Sequence, residues 1–165
     1  VFLKKYKQPI VADADALNIL SSKKPLLKLL PANSILTPHP KEFERLAGTW
    51  KNDFERLALQ QNFSKKHKVI VVLKGANTSI SDTNGDVYFN STGNAGMATG
   101  GSGDVLTGII AGFLAQQYTP LDSAILGVYI HGLAGDLALQ QQSMESLIAS
   151  DITDNLGNSF KEIKK

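Results

Sequence analysis

Cysteine is absent from this 165-residue chain. That absence removes disulfides, thiolate zinc sites and cysteine nucleophiles together, and it is compatible with a cytoplasmic location. No apolar run is long enough to span a bilayer and no signal peptide is visible, so no membrane partner is expected. An excess of one charge is lacking too: 17 Lys and Arg stand against 15 Asp and Glu, a formal net charge of +2. Nucleic-acid binding is therefore not expected. The basic groups at Lys4, Lys5 and Lys7, at Lys65, Lys66, His67 and Lys68, and at Lys161, Lys164 and Lys165 read as solvated charge. The P-loop signature Gly-x-x-x-x-Gly-Lys-Ser/Thr is missing. Gly101-Ser102-Gly103 is followed by Leu106 where a dinucleotide fingerprint needs a small residue. No Gly-x-Ser-x-Gly elbow supports a Ser-His-Asp hydrolase. An initiator Met is also lacking. The chain opens at Val1 in what reads as the approach to a buried strand, so a fragment of a longer protein is expected.

Glycine, by contrast, is concentrated. Half of the 14 glycines fall within residues 93–112, a window that runs directly into an apolar helix. Glycine lets backbone amides approach a ligand closely, and amides at a helix N-terminus favour anions. Gly100-Gly101-Ser102-Gly103-Asp104 opens that helix. Its amides suit a phosphoryl group, and Asp104 suits a base that takes a proton from an attacking hydroxyl. The same residues also suit a tight turn in which Asp104 only complements the helix dipole, at about 0.3–1 kcal/mol. Both readings stay open on this motif alone.

Short strands are expected at residues 9–12, 34–37 and 69–73. The last is a run of five apolar, mostly β-branched residues, which predicts burial on both faces. Asn84-Gly85 between 78–82 and 87–90 predicts a hairpin. Helices are expected at 16–20, from Pro40 to the stop at Gly48, at 52–67, at 102–117, and at 121–142. The helix at 121–142 is apolar almost all round and so largely buried. A capped surface helix is expected from Ser150-Asp151 onward. Strands alternating with helices predict an α/β fold, a mostly parallel sheet with helices on its faces. Asp13 and Asp15 lie at a strand end facing a cleft but equally suit helix caps, and they are left out of the catalytic set. His131 reads as a satisfied core histidine.

Four ordered motifs extend this picture: Val11-Ala12-Asp13-Ala14-Asp15-Ala16-Leu17-Asn18, Leu36-Thr37-Pro38-His39-Pro40-Lys41-Glu42, Lys74-Gly75-Ala76-Asn77-Thr78, and the segment from Gly93 through Asp104. In these the chain resembles the NAD(P)H-hydrate dehydratases, a branch of the ribokinase-like superfamily. The resemblance implies a three-layer α/β/α sandwich, with residues 1–165 as one partial domain lacking its N-terminal part. It implies dehydration of the S-form of hydrated NADH or NADPH: a nucleotide phosphorylates the ring hydroxyl and phosphate is then eliminated. ADP is favoured over ATP because the glycine window looks like that of bacterial members, and Mg2+ is implied as cofactor. Carried over by position, Asp104 contacts the hydrate and acts as base, and His39 contacts the substrate. Gly101, Ser102 and Gly103 form the anion hole. Lys74, Gly75, Ala76, Asn77, Thr78 and Gly103 contact the nucleotide. Glu42, three residues after His39, is a candidate for Mg2+ through water. A homo-oligomer and fusion to an epimerase domain are further expectations.

Two departures stand out. Ala95 occupies a position where many relatives carry proline, which loosens the loop. The N-terminal portion that normally precedes the Asp-Ala-Asp motif is lacking, so an exposed apolar edge or face is expected. A small-molecule kinase of the same superfamily, acting on a vitamin precursor or a sugar, is the first alternative. A non-catalytic nucleotide-binding module is the second. Thr37-Pro38-His39-Pro40-Lys41-Glu42 favours the dehydratase over the kinase.

Overall fold

A computed structural model describes residues 2–164. Three short strands, β1 (Val11–Ala12), β2 (Ile35–Leu36) and β3 (Ile70–Leu73), pair in parallel. β4 (Ser79–Ser81) and β5 (Val87–Phe89) follow as an antiparallel meander, giving the order β1-β2-β3-β4-β5. β4 is the one reversed strand, so the mixed sheet is mostly parallel. Asn84-Gly85 lies in the β4–β5 turn, where Gly85 takes φ +86° and Asp82 Oδ1 accepts the Asn84 and Asp86 amides.

The register sets the layers. Val11, Ile35 and Ile70 share one row, and Ala12, Leu36 and Val71 share the next. Successive strand residues point to opposite faces. Ala12, Leu36, Val71 and Leu73 pack against Leu17 and Leu20 of α2 (Asp15–Ser22), Phe43 and Leu46 of α3 (Pro40–Ala47), and Phe63 of α4 (Asp53–His67). Ile35, Ile70, Val72 and Ile80 pack against Leu106 and Ile110 of α5 (Ser102–Ala115) and Ala124 and Val128 of α6 (Pro120–Ala138). A three-layer α/β/α sandwich results. β3 is buried along its whole length, as its run of apolar residues predicts.

Local chemistry explains the helix limits. Asn52 accepts the Glu55 amide at 2.9 Å and starts α4, and Lys68 ends it in the left-handed conformation at φ +55°. Thr119 caps α6, with Pro120 in its first turn. α5 and α6 cross where Gly127 leaves room for Ile110: a Cβ at Gly127 would lie 2.5 Å from Ile110 Cγ1.

Four expectations need correction. Residues Phe2–Lys5 form a single helical turn, α1, rather than the approach to a strand, and the Phe2 and Tyr6 rings stack at 5.1 Å. α6 stops at Ala138, short of Gln142, because Gln140 and Gln141 amides turn back onto Leu137 and Ala138 carbonyls. The tail is two helices, α7 (Ala149–Asp154) and α8 (Leu156–Ile163), broken at Asn155, whose side chain donates to the Asp151 carbonyl at 2.9 Å. The basic cluster at 65–68 is not uniformly solvated either, since the His67 ring lies 4.5 Å from Phe63.

Candidate active site

Ligand sites in open α/β sheets form beyond the carboxyl ends of parallel strands. Here those ends carry Asp13 after β1, Pro38 and His39 after β2, and Lys74 after β3. The parallel ladder joins them: Thr37 N–H donates to Ala12 O at 3.1 Å, and Lys74 N–H donates to Pro38 O at 2.9 Å. The N-terminus of α5 meets the same end of the sheet, because Thr107 Oγ1 donates to Asp13 Oδ2 at 2.8 Å.

Gly101 takes φ +87°, a left-handed N-cap that glycine allows, and turns the chain into α5. The Ser102 amide bends back toward Thr99 O at 3.4 Å. The amides of Gly101, Gly103 and Asp104 have no acceptor among the described residues, so they are free for an anion. Of the three expected anion-hole residues, Ser102 is thus the one whose amide is already engaged. A Cβ at Gly103 would lie 3.4 Å from Lys74 Nζ, so the free amides and an ammonium converge. Lys74 Nζ pairs with Asp13 Oδ1 at 3.0 Å. Burial alone would raise the Asp13 carboxyl. The hydrogen bonds from Lys74 and Thr107, the Lys74 charge and the Ala14 amide outweigh it and hold that carboxyl below its ordinary value.

A cavity of about 790 Å³ opens beside this corner. The turn after β3 forms one wall through Lys74, Gly75, Ala76 and Thr78, and Gly103 and Ser102 form its floor. His39 also lines it, whereas Asn77, Gly101, Glu42 and Asp104 do not. Asp104 is exposed on the first turn of α5 and has no side-chain partner among the described residues. The far wall is the loop 90–99, pressed onto α6. A Cβ at Gly132 would collide with Thr92, coming within 2.7 Å of its carbonyl carbon, and one at Gly135 would collide with Met97. Asp136 clamps the loop, accepting the Gly93 amide at 2.8 Å and the Asn94 side-chain amide at 2.9 Å.

His39 has a structural task as well. Its Nδ1 accepts the Lys41 and Glu42 amides at 3.1 and 3.3 Å, and Glu42 Oε2 accepts the His39 amide at 2.8 Å. This capping box starts α3 and leaves the imidazole proton on Nε2, 3.6 Å from Glu42 Oε1. Glu42 is buried and committed to that cap. Among the described residues no group of three His, Cys, Asp or Glu is placed to hold a metal ion. Any Mg2+ would therefore depend on nucleotide phosphates for its inner ligands.

His131 has a partner, as expected of a satisfied core histidine, but it also lines the cavity. Its Nε2 lies 3.0 Å from Ser102 O. Burial pushes its pKa down to about 4, with the Lys74 charge adding to the shift and the Ser102 carbonyl opposing it. The unfolded chain therefore binds a proton below pH 6.5 that the folded chain refuses until about pH 4, and stability falls as pH drops through that window. A His131→Gln variant should lose this dependence. Between pH 7 and 4.5 the wild type should lose about 2 kcal/mol more than the variant by urea titration. Equal acid sensitivity would contradict the buried neutral imidazole.

Of the residues that build this corner, the sequence placed Asp13 at the cleft but left it out of the catalytic set, and it did not single out Thr107 or Asp136. Gly132, Gly135 and Asp136 on one side of the long apolar helix were the available signal for Asp136, since small residues at that spacing mark a close approach.

The profile described as NAD(P)H-hydrate dehydratase matches residues 1–158. The bifunctional NAD(P)H-hydrate repair enzyme of Moorella thermoacetica is 45% identical over 165 residues, covering 99% of this chain and 31% of that protein. The ADP-dependent (S)-NAD(P)H-hydrate dehydratase of Neisseria meningitidis is 41% identical, covering 88% and 51%. The crystal structure of the Bacillus subtilis ADP/ATP-dependent NAD(P)H-hydrate dehydratase, co-crystallised with ATP and Mg2+, aligns with a TM-score of 0.83. It is 32% identical and covers 96% of this chain and 58% of that one. The chain thus spans about a third to a half of the curated relatives it matches. The sandwich is the ribokinase-like fold expected from the motifs. With one profile matching nearly its whole length and the corner built from the same four motifs, this chain belongs to the NAD(P)H-hydrate dehydratase family.

Proposed function

We propose that this chain carries the phosphoryl-transfer corner of an ADP- or ATP-dependent dehydratase acting on the S-form of hydrated NADH or NADPH. One observation carries the reading: the free Gly103 and Asp104 amides converge with Lys74 at one end of a cavity of about 790 Å³, while the Asp104 carboxylate lies outside it. A phosphoryl group held at that turn has the nucleotide on one side and an acceptor hydroxyl on the other, as in-line transfer requires.

Lys74, Gly75, Ala76, Asn77, Thr78 and Gly103 hold the nucleotide. The amides of Gly101 and Gly103, with the Ser102 turn between them, stabilise the charge on the transferring group. His39 and Asp104 contact the hydrated ring. Asp104 takes the hydroxyl proton as the oxygen bonds to the terminal phosphorus and the bond to the leaving nucleotide breaks. From ADP the leaving group is AMP. The ring nitrogen then pushes out phosphate, which leaves far better than hydroxide, and loss of a proton from the neighbouring ring carbon restores the dihydronicotinamide. Mg2+ supplies neutralisation of the nucleotide phosphates. Glu42, held in its cap, would reach that ion only through water.

ADP is the favoured nucleotide. The ADP-dependent Neisseria relative supports that preference. We also place the chain in the cytoplasm as part of a homo-oligomer. Among the described residues no helix is long and apolar enough to cross a membrane. Covering only 31% of a bifunctional relative leaves room for fusion to an epimerase domain. Supplying hydrated NADH with ADP, and separately with ATP, should restore the dihydronicotinamide absorbance, with nucleotide-dependent release of phosphate. Nucleotide binding by calorimetry without any recovery would identify a non-catalytic module instead.

A further inference from the structure

Lys74 lines the nucleotide cavity, and Asp13 stands behind it, outside the cavity wall. The Asp13 side chain is only 11% exposed, and both of its oxygens are engaged. Oδ1 accepts from Lys74 Nζ at 3.0 Å and from the Ala14 amide at 2.9 Å, and Oδ2 accepts from Thr107 Oγ1 at 2.8 Å. One carboxylate thereby ties the end of β1 to the end of β3 and to α5, one turn beyond Gly103. Ala14 sits at φ +47° and ψ −116°, a conformation that favours glycine. Strain of this kind persists where surrounding bonds over-determine the backbone, and it clusters at working sites. Here the hydrogen bond that the Ala14 N–H donates to Asp13 Oδ1 supports it.

A lysine on a free four-carbon stem follows the nearest negative charge. With a nucleotide bound, that charge is the resting diphosphate. Binding the resting nucleotide and the transferring group equally lowers KM without raising kcat. We propose that Asp13 is a positioning residue that keeps the Lys74 ammonium at the Gly103 turn, so that its charge, while helping to hold the nucleotide, acts more strongly on the phosphoryl group in flight than on the resting diphosphate. The inference rests on the phosphoryl-transfer reading above. Asp13 does not line the cavity, and its effect on transfer runs through Lys74.

The test is a double-mutant cycle on the full chain: wild type, Asp13→Asn, Lys74→Met and both. ADP affinity is read by calorimetry, and kcat and KM with hydrated NADH. Asp13→Asn keeps the shape and removes the charge. It should bind ADP as tightly as wild type or a few-fold tighter, while kcat falls about 10-fold or more. In the Lys74→Met background the same change should alter neither quantity. Weaker ADP binding on Asp13→Asn, unchanged kcat, or losses that simply add across the cycle would overturn the proposal. If Asp13→Asn fails to fold by circular dichroism, Thr107→Val, which removes one of the bonds to Asp13, should show the same split, and its absence there overturns the proposal equally. A wild-type chain that binds ADP but restores no NADH would sink the dehydratase reading alone. The positioning role would then be judged by whether Asp13→Asn tightens ADP binding only when Lys74 is present. A wild type that binds no ADP would end both.

Discussion

Replacing Asp104 by Asn should abolish repair of hydrated NADH while leaving ADP binding intact. General base catalysis contributes about 10²–10⁴-fold, so kcat should fall by that order. The separation of the two readouts follows from placement. Asp104 is exposed, lies outside the cavity, and has no side-chain partner among the described residues. Asparagine at the same position of α5 keeps the turn and its amides, so the anion site survives. If Asp104 only complemented the dipole of α5, the variant would repair at the wild-type rate and lose about 0.3–1 kcal/mol of stability at most. Turnover and ADP calorimetry on one preparation, with a thermal melt as control, distinguish these outcomes.

Gly132→Ala should damage the wall of the cavity, because the added methyl meets backbone. The added Cβ would collide with Thr92, within 2.7 Å of its carbonyl carbon and 2.8 Å of its oxygen. Backbone cannot swing aside as a flexible side chain does. The loop is also held at three points, by Thr92 Oγ1 on Tyr129 O at 2.9 Å and by the two Asp136 bonds. Overpacking of this kind costs about 1–3 kcal/mol, more than the roughly 1 kcal/mol of helix propensity that alanine returns. The expected net loss is about 1 kcal/mol, a Tm drop of about 2–4 °C for a chain of this size. ADP affinity should fall at least about 10-fold, because the displaced loop is the far wall of the cavity. Gly108→Ala in α5 provides the contrast. Nothing lies within 4 Å of its Cβ position, so the helix should gain up to about 1 kcal/mol. A Gly132→Ala protein with wild-type Tm and ADP affinity would contradict this view of the wall.

Elements set by local chemistry were legible in the sequence. β3 announced itself by apolar β-branched residues, the hairpin by Asn84-Gly85, and α5 by its glycine-rich start. The break at Asn155 was not legible, because it depends on one side chain returning to the Asp151 carbonyl. Nor was α1, a single turn that leans on the core through Leu3. Within the site, the Gly-Asp corner and the Lys74 turn were legible because each is contiguous in the chain. Asp13 was not, since its partners lie 61 and 94 residues away. No local pattern distinguishes such a carboxylate from a helix cap. His131 was legible as a partnered histidine but not as a cavity residue, because the Ser102 turn that it meets is 29 residues back, on the facing helix.

The claim that hydroxyl phosphorylation precedes elimination can be followed with a single atom. Hydrated NADH prepared with heavy oxygen in the ring hydroxyl is turned over with unlabelled ADP, and the products are read by mass spectrometry. Phosphorylation at the α5 corner sends the label into inorganic phosphate, in equal amount to the AMP and NADH formed. Label recovered in water, with phosphate unlabelled, would mean direct loss of hydroxide and would contradict the account.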